Sequence, residues 1–361
     1  MADSVMPLHA DRSTSNDSTN VLNRLQAVCS THDAPDLSEA LRAMAAFMVE
    51  DLLRVEEDIE LVPQRDEVVG KSASHLLALK GKRLRPMCVA LAAKAGTGFN
   101  DQAKGLAAAV ELVHSATLLH DDVVDDGTMR RGEPTARVLY GNAASVFAGD
   151  WLLIEALRRV RRADVPGVLD DLLDTIDEMI QAEAIQLENR GKLVMDRATY
   201  FEIIEGKTAS LFRWGLRSGG RAAGLNEAHA EALASYGQNL GIAFQIVDDA
   251  LDFMGESVAM GKNLFADFRE GKVTYPIIVG MERDAGLRPA LADAMASEAT
   301  MTPEAGARIL ETLRATEAIE ASMALARDYS QAAANAILTL PAGPAKTALT
   351  LVANASVRRQ A

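Results

Sequence analysis

The chain has 361 residues, 48% of them hydrophobic and only 4% aromatic, with a net charge of -14. That size supports one large helical core or two modest ones, and the acidic balance argues against nucleic acid as a partner. No apolar run approaches the roughly 20 residues that span a bilayer, so no transmembrane segment is expected. Alanine and leucine dominate and β-branched runs are scarce, which points to an all-α fold. The two cysteines, Cys29 and Cys88, imply neither a disulfide framework nor a metal site and suit a reducing compartment. The N-terminus lacks an apolar signal core and carries Asp3, Asp11 and Asp17, so a cytoplasmic protein is expected.

Residues 1–36 are rich in Ser, Thr, Asp and Asn with little periodicity and read as a disordered tail. Residues 37–361 read as one all-α domain. A helix begins near Asp36, with Leu41, Met44, Ala45, Met48, Leu52 and Leu53 forming an apolar stripe. A second helix covers about 66–79. Next comes Lys80-Gly81-Lys82-Arg83-Leu84-Arg85-Pro86. A glycine turn carrying several cations at a helix start is suited to an anion, because free backbone N–H groups add to the side-chain charge. The blander alternative is a basic loop on an acidic protein.

From Asp101 a long helix runs into Leu118-Leu119-His120-Asp121-Asp122-Val123-Val124-Asp125. Positions i and i+4 share a helix face roughly 6 Å apart, so Asp121 and Asp125 lie together with Asp122 beside them. Carboxylates this close repel unless a cation neutralises them. Their oxygens suit Mg²⁺, which takes one or two carboxylates, substrate phosphates and several waters. His114 lies two turns before Asp121 on the same face. Arg130 and Arg131 follow the motif and could hold phosphates or merely balance the aspartates.

Helices are then expected from Gly141 to Arg161, and from the Pro166-Gly167 turn to about Asn189. The next helix carries Tyr200, Lys207 and Thr208, with Tyr200 and Lys207 two turns apart on one face. A lysine inside an apolar helix needs a partner, and a diphosphate would serve. Asn226 starts the helix that ends in Phe244-Gln245-Ile246-Val247-Asp248-Asp249-Ala250-Leu251-Asp252, a second Asp-Asp-x-x-Asp. Gly237 and Gly241 permit another helix to approach it closely. Lys262 and Lys272 sit on the glycine-punctuated segment after it, which resembles a lid over phosphate. Two facing aspartate patches would hold Mg²⁺, as a cluster of up to three ions, with a diphosphate between them. The alternative, two solvated acidic surfaces, fits poorly with two copies that each end an apolar helix. The Ala/Leu-rich helices beyond about 286 read as scaffold.

Between Lys80 and Pro276 the order and spacing of these motifs resemble the trans-polyprenyl diphosphate synthases. The resemblance is carried by the paired aspartate motifs, Arg130-Arg131-Gly132, Lys207-Thr208-Ala209, Phe244-Gln245 and Glu270-Gly271-Lys272. It implies an isoprenoid-synthase-type all-α bundle around a deep central cavity, usually a homodimer. It implies that Asp121, Asp122, Asp125, Asp248 and Asp249 bind Mg²⁺ and an allylic diphosphate, with Asp252 in support. Arg130, Lys207, Lys262 and Lys272 would contact the same diphosphate. Lys82, Arg85, His114 and Arg131, with Arg83 nearby, would hold isopentenyl diphosphate. Thr208, Gln245 and the Tyr200 face would line the cavity where an allylic cation forms. Three departures stand out: Lys80 and Phe265 at usual glycine positions, and alanine in place of glycine within 181–187. Phe265 bears on lid closure.

In this family the bulk of residues just before the first aspartate motif sets product length. Here Val113, Ala116 and Thr117 leave the floor open, which implies a long product, octaprenyl to decaprenyl diphosphate, for a quinone side chain. The alternatives are a shorter-chain (farnesyl or geranylgeranyl) synthase, a non-catalytic partner subunit and a class I terpene cyclase. Retention of both aspartate motifs and of Lys82 and Arg85 argues against the last two.

Overall fold

The computed structural model describes residues 35–63, 65–79, 81–194, 196–254, 265–296 and 302–358. The tail up to 34, Lys80 and Lys262 lie outside the described residues.

The amphipathic periods produce helices nearly throughout. They are α1 (Pro35–Glu60), α2 (Val68–Ala78), α3 (Leu84–Lys94), α4 (Asp101–Val124), α5 (Ala136–Tyr140), α6 (Asn142–Ala163) and α7 (Val168–Asn189). Then come α8 (Arg197–Ile204), a π-helical turn (Glu205–Ala209), α9 (Ser210–Ala222), α10 (Glu227–Leu251) and the short α11 (Ala266–Arg269). The chain ends with α12 (Tyr275–Arg283), α13 (Leu287–Ala296), α14 (Pro303–Ala315), α15 (Ala318–Ala336) and α16 (Pro344–Ser356). The strands described are β1 (Met129–Arg130) and β2 (Glu133–Pro134), an antiparallel pair in the turn after the first aspartate motif. The all-α expectation holds.

Side-chain caps mark where the site-bearing helices begin. Asn100 accepts from the Ala103 N–H at the start of α4, and Asn226 accepts from the His229 N–H at the start of α10. On α1, Met44, Met48 and Leu52 are buried as the stripe predicts, but Leu53 is 43% exposed.

The helix α4 packs along α6, and α10 runs between α9 and α15. A Cβ on Gly237 would come within 2.6 Å of the Phe212 carbonyl, and one on Gly241 within 2.5 Å of the Ala209 Cα. The two glycines therefore set the α9–α10 separation, as their spacing predicts. Buried Leu119, Leu152, Leu172 and Leu211 fill one part of the core, and Ile246, Ile277 and Leu313 another. Met48, Leu91, Phe212 and Tyr236 fill a third. Between them α3, α4, α7, the π turn and α10 leave a cavity.

Phe265 resolves one departure physically. Its φ is +65°, in the left-handed region that glycine occupies without strain. Its ring is buried and meets Phe253 edge-on at 5.3 Å, which offsets a conformational cost of about 1–2 kcal/mol.

Candidate active site

Both aspartate motifs fall on the last turn of a helix. Helix α4 ends at Val124 with Asp125 as its C-cap, and α10 ends at Leu251 with Asp252 as its C-cap. The carbonyl ends of helices carry partial negative charge, so each triplet of carboxylates adds to a negative pole. At the first motif the structure meets this charge with side-chain cations. Arg130 forks onto Asp122 at 2.7 and 3.0 Å. Lys207 pairs with Glu183 and lies 3.7 Å from Asp121. Lys272 and Arg190 reach Asp125 at 2.7 and 3.5 Å.

Successive helical residues point about 100° apart, and this divides each motif. Asp121 and Asp248 line the main cavity. Asp122 and Asp249 turn into the protein and are 3% and 2% exposed. Asp249 accepts from the Tyr200 hydroxyl at 2.6 Å and from Gln245 Nε2 at 2.8 Å. Burial, with Asp267 adding, pushes the Asp249 carboxyl up to about 8, and burial pushes Asp267 up to about 6. Asp121 and Asp252 are raised too, burial being the largest cause for each. Asp252 Oδ1 accepts from the Ala266 N–H at 3.0 Å, while its buried Oδ2 has no hydrogen-bond partner among the described residues.

Among the described residues, no three acidic, histidine or cysteine side chains converge as a self-sufficient metal site. That accords with an ion that keeps water and substrate oxygens in its shell. An orphaned buried carboxylate oxygen and hard donors at two negative helix poles fit Mg²⁺.

Across the cavity lie Lys82, Arg85, His114 and Arg131. The Arg85 guanidinium stacks over Phe212 at 4.6 Å, and its buried Nε lacks a hydrogen-bond partner. Burial, opposed by Glu111, lowers its pKa. Burial, and then Arg85, Arg131 and Arg130, hold the His114 imidazolium well below the ordinary histidine range. These are the properties of an anion site. Arg131 donates from Nη1 to the Leu79 carbonyl at 2.8 Å. Arg83 also borders the cavity, but its guanidinium pairs with Glu56 at 2.5 Å and with Glu111 at 2.6 Å. Its charge is therefore balanced within the fold.

The cavity holds about 740 Å³. Val113, Ala116 and Thr117 border it without closing it, and it continues along Leu153, Ile176, Met179 and Ile180. Thr117 turns its hydroxyl back to the His114 carbonyl at 2.8 Å, leaving its methyl group for the wall.

Tyr200 corrects one expectation. It lines a separate cavity of about 130 Å³ together with Asp249, Asp267 and Lys272. Lys207, Thr208 and Gln245 border both cavities. Tyr200 and Lys207 share this smaller cavity, as their two-turn spacing predicts, and Lys207, inside the π turn at Glu205–Ala209, reaches the larger one as well. Other site neighbours were not marked by the motifs. Glu183 takes Lys207 as its partner. Arg190 donates to the Val124 and Glu270 carbonyls at 3.0 and 2.8 Å, tying the end of α4 to the segment after α11. Glu183 is one of several acidic residues on α7, so nothing local singled it out, and nothing local pointed to Arg190. Ala182, where glycine is frequent, packs against Gly206, where any Cβ would approach its own to 2.7 Å.

A family model described as polyprenyl synthetase matches residues 66–313. The chain is 35% identical to heptaprenyl diphosphate synthase component 2 of Geobacillus stearothermophilus, over 85% of this chain and 95% of that protein. It is 34% identical to the octaprenyl diphosphate synthase of Haemophilus influenzae, over 86% of this chain and 94% of that protein. Its fold matches a crystal structure of polyprenyl synthase from Caulobacter crescentus complexed with calcium and isoprenyl diphosphate. The TM-score is 0.80 at 36% identity, covering 90% of this chain and 98% of that one.

Proposed function

Because the chain belongs to the polyprenyl synthetase family and is thereby a prenyltransferase, we propose that it condenses isopentenyl diphosphate with an allylic diphosphate, such as farnesyl diphosphate, to a long-chain all-trans polyprenyl diphosphate. One observation carries the reading: a single cavity is lined by carboxylates from the two motif-bearing helix ends, Asp121 and Asp248, by the basic turn Lys82–Arg85, and by apolar side chains of α4, α6 and α7. The octaprenyl relative supports the long product, and a quinone side chain is its proposed use.

In this reading Asp121, Asp122, Asp125, Asp248 and Asp249 hold Mg²⁺, supported by Asp252, as a cluster of up to three ions. When bound, Mg²⁺ supplies charge neutralisation to the departing diphosphate. Arg130, Lys207, Lys262 and Lys272 hold the same allylic diphosphate. Lys82, Arg85, His114 and Arg131 hold isopentenyl diphosphate, and Arg83 braces the turn that carries them. As the allylic C–O bond breaks, its electron pair leaves with the diphosphate. Positive charge then develops beside Thr208 and Gln245, whose oxygens stabilise it. The isopentenyl double bond attacks the allylic carbon, and the new cation loses a proton to the released diphosphate. Apolar walls keep water from quenching either cation. Val113, Ala116 and Thr117 set how far the product grows.

The proposed oligomer is a homodimer. Phe147 and Ile154 on α6, and Leu173, Ile180 and Leu187 on α7, recur every seven residues and are each at least 45% exposed, which supports a helix-to-helix contact. Among the described residues no helix is long and apolar enough to cross a membrane, and the proposed setting is the cytoplasm. We assign 37–361 as the catalytic domain. The test is purified protein with farnesyl diphosphate, labelled isopentenyl diphosphate and Mg²⁺, with a chelator control and products sized by mass spectrometry. A chelator-sensitive ladder to eight to ten isoprene units is expected, and no elongation with any allylic primer overturns the reading.

A further inference from the structure

Four side chains close a hydrogen-bonded chain between the α8–α9 segment and α10. The Tyr200 hydroxyl donates to Asp249 Oδ2 at 2.6 Å, and Gln245 Nε2 donates to Asp249 Oδ1 at 2.8 Å. Thr208 Oγ1 donates to Gln245 Oε1 at 2.9 Å. Tyr200 on α8 and Thr208 within the π turn that follows belong to one continuous helical segment, so the chain begins and ends on the same stretch.

The order of these bonds has a chemical consequence. A primary amide can present either its oxygen or its NH₂ to a given side. Thr208 does not decide between them, because a hydroxyl both donates and accepts. The Asp249 side does decide: its Oδ1 faces Gln245 Nε2 at 2.8 Å while its Oδ2 is taken by the Tyr200 hydroxyl at 2.6 Å. Gln245 Nε2 is thereby committed to Asp249 and its carbonyl oxygen to Thr208, and both Gln245 and Thr208 border the large cavity. Asp249 can do this only while its own orientation is fixed. It is 2% exposed, and the hydroxyl on its second oxygen comes from Tyr200, itself 3% exposed. Tyr275 and Phe201, each 5.5 Å away between ring centres, hold the Tyr200 ring.

We propose that Tyr200 is a positioning residue for prenyl transfer: acting through Asp249, it turns the Gln245 carbonyl oxygen toward the place where positive charge develops. The inference rests on the prenyltransfer reading above. An acceptor oxygen there favours the transition state, and an NH₂ group there opposes it. The effect belongs to the ionisation step, so it acts on kcat. The isopentenyl diphosphate side of the cavity, built from Lys82, Arg85 and His114, is untouched.

The test compares Tyr200→Phe, Gln245→Leu and the double variant with the wild-type full chain, using farnesyl and isopentenyl diphosphates and Mg²⁺. Tyr200→Phe keeps the ring and removes one oxygen. It is expected to lower kcat about 10- to 100-fold, the range for losing one hydrogen bond to a charged group. KM for isopentenyl diphosphate is expected to stay within about twofold, a split that loosened packing would not give. Added to Gln245→Leu it is expected to cost nothing further, because both act through one amide. Full kcat in Tyr200→Phe overturns the proposal, as do losses that multiply in the double variant. A wild-type chain that elongates no primer sinks the underlying reading and this proposal with it. An active wild type beside an unimpaired Tyr200→Phe sinks this proposal alone.

Discussion

The ammonium of Lys272 lies 2.7 Å from Asp125 and 2.7 Å from Glu270. It joins the segment after α11 to the end of the first aspartate motif. Both hydrogen bonds raise its pKa against the lowering effect of burial, so it stays charged. Removing it leaves Asp125, whose side chain is 13% exposed, with Arg190 as its remaining cation at 3.5 Å. For Lys272→Ala we expect KM for the allylic diphosphate to rise about 10- to 100-fold, equivalent to about 1.4–2.8 kcal/mol. KM for isopentenyl diphosphate should stay within twofold. Steady-state kinetics with each substrate varied in turn checks this, and an equal rise in both constants would remove Lys272 from the allylic side.

Much of this arrangement was legible in the sequence because helical periodicity is local. The last turns of α4 and α10, the turn from Gly81 to Arg85 and the glycine pair 237/241 each declare themselves within a few residues. What stayed hidden depends on contacts between distant segments. Arg190 meets Val124 and Glu270 across 66 and 80 residues, and no local pattern announces such a meeting. Tyr200 does share a cavity with Lys207, as their spacing predicts, but only the folded chain shows that two cavities meet at Lys207, Thr208 and Gln245 and that Tyr200 lines the smaller. The front-and-back division of each aspartate pair also needed the cavity. Neighbouring residues must face differently, but only packing says which one faces inward.

Arg83 illustrates a basic residue whose first duty is to the fold. Glu111 is 4% exposed and depends on Arg83 at 2.6 Å. Breaking a buried pair from one side costs up to about 3–5 kcal/mol, of which the nearby Arg85 charge offsets only part. Arg83→Met should therefore lower the thermal midpoint by several degrees. In the protein that folds, KM for isopentenyl diphosphate should change less than in Arg85→Met. Calorimetry paired with kinetics checks this; an unchanged midpoint with a large KM effect would make Arg83 a substrate contact instead.

The carboxylates at the two helix poles should respond to cations as a pair. Mg²⁺ together with inorganic diphosphate is expected to raise the thermal midpoint, and neither should do so fully alone, because no described carboxylate group closes a site unaided. The Asp121→Asn and Asp248→Asn changes should each abolish most of the rise. A chelator should abolish turnover of the wild type. A full rise with diphosphate alone would mean that Lys82, Arg85 and the other cations suffice without an ion.

His114 gives a pH signature with a definite sign. Burial and then Arg85 hold its folded-state pKa well below the ordinary value, so the folded protein leaves it neutral while the unfolded chain protonates it below about pH 6.5. Its contribution to stability is complete above that pH and is lost as pH falls, by about 1.4 kcal/mol per unit until the folded pKa is reached. In urea titrations from pH 7.5 to 5, the wild type should lose stability faster than His114→Asn by that slope. Parallel curves would mean that the imidazole is free to take a proton in the fold.

Ala116 tests the open floor. It is 2% exposed, borders the cavity one turn before Asp121, and leaves the lobe along Leu153, Ile176, Met179 and Ile180 continuous with the reaction end. A growing polyprenyl chain must pass this point, since the metal-bearing helix ends close the cavity on the other side. An aromatic side chain here would project into the lumen, because Ala116 itself lines the cavity and the core around α4 is close-packed. Ala116→Phe should therefore shorten the product from eight to ten isoprene units to about three to five, while the first condensation proceeds at a rate within a few-fold of wild type. Ile180→Ala, which widens the far end only, should leave the short product of Ala116→Phe unchanged. Dephosphorylated products sized by mass spectrometry give both answers. An unshortened ladder from Ala116→Phe would place the route of elongation away from α4.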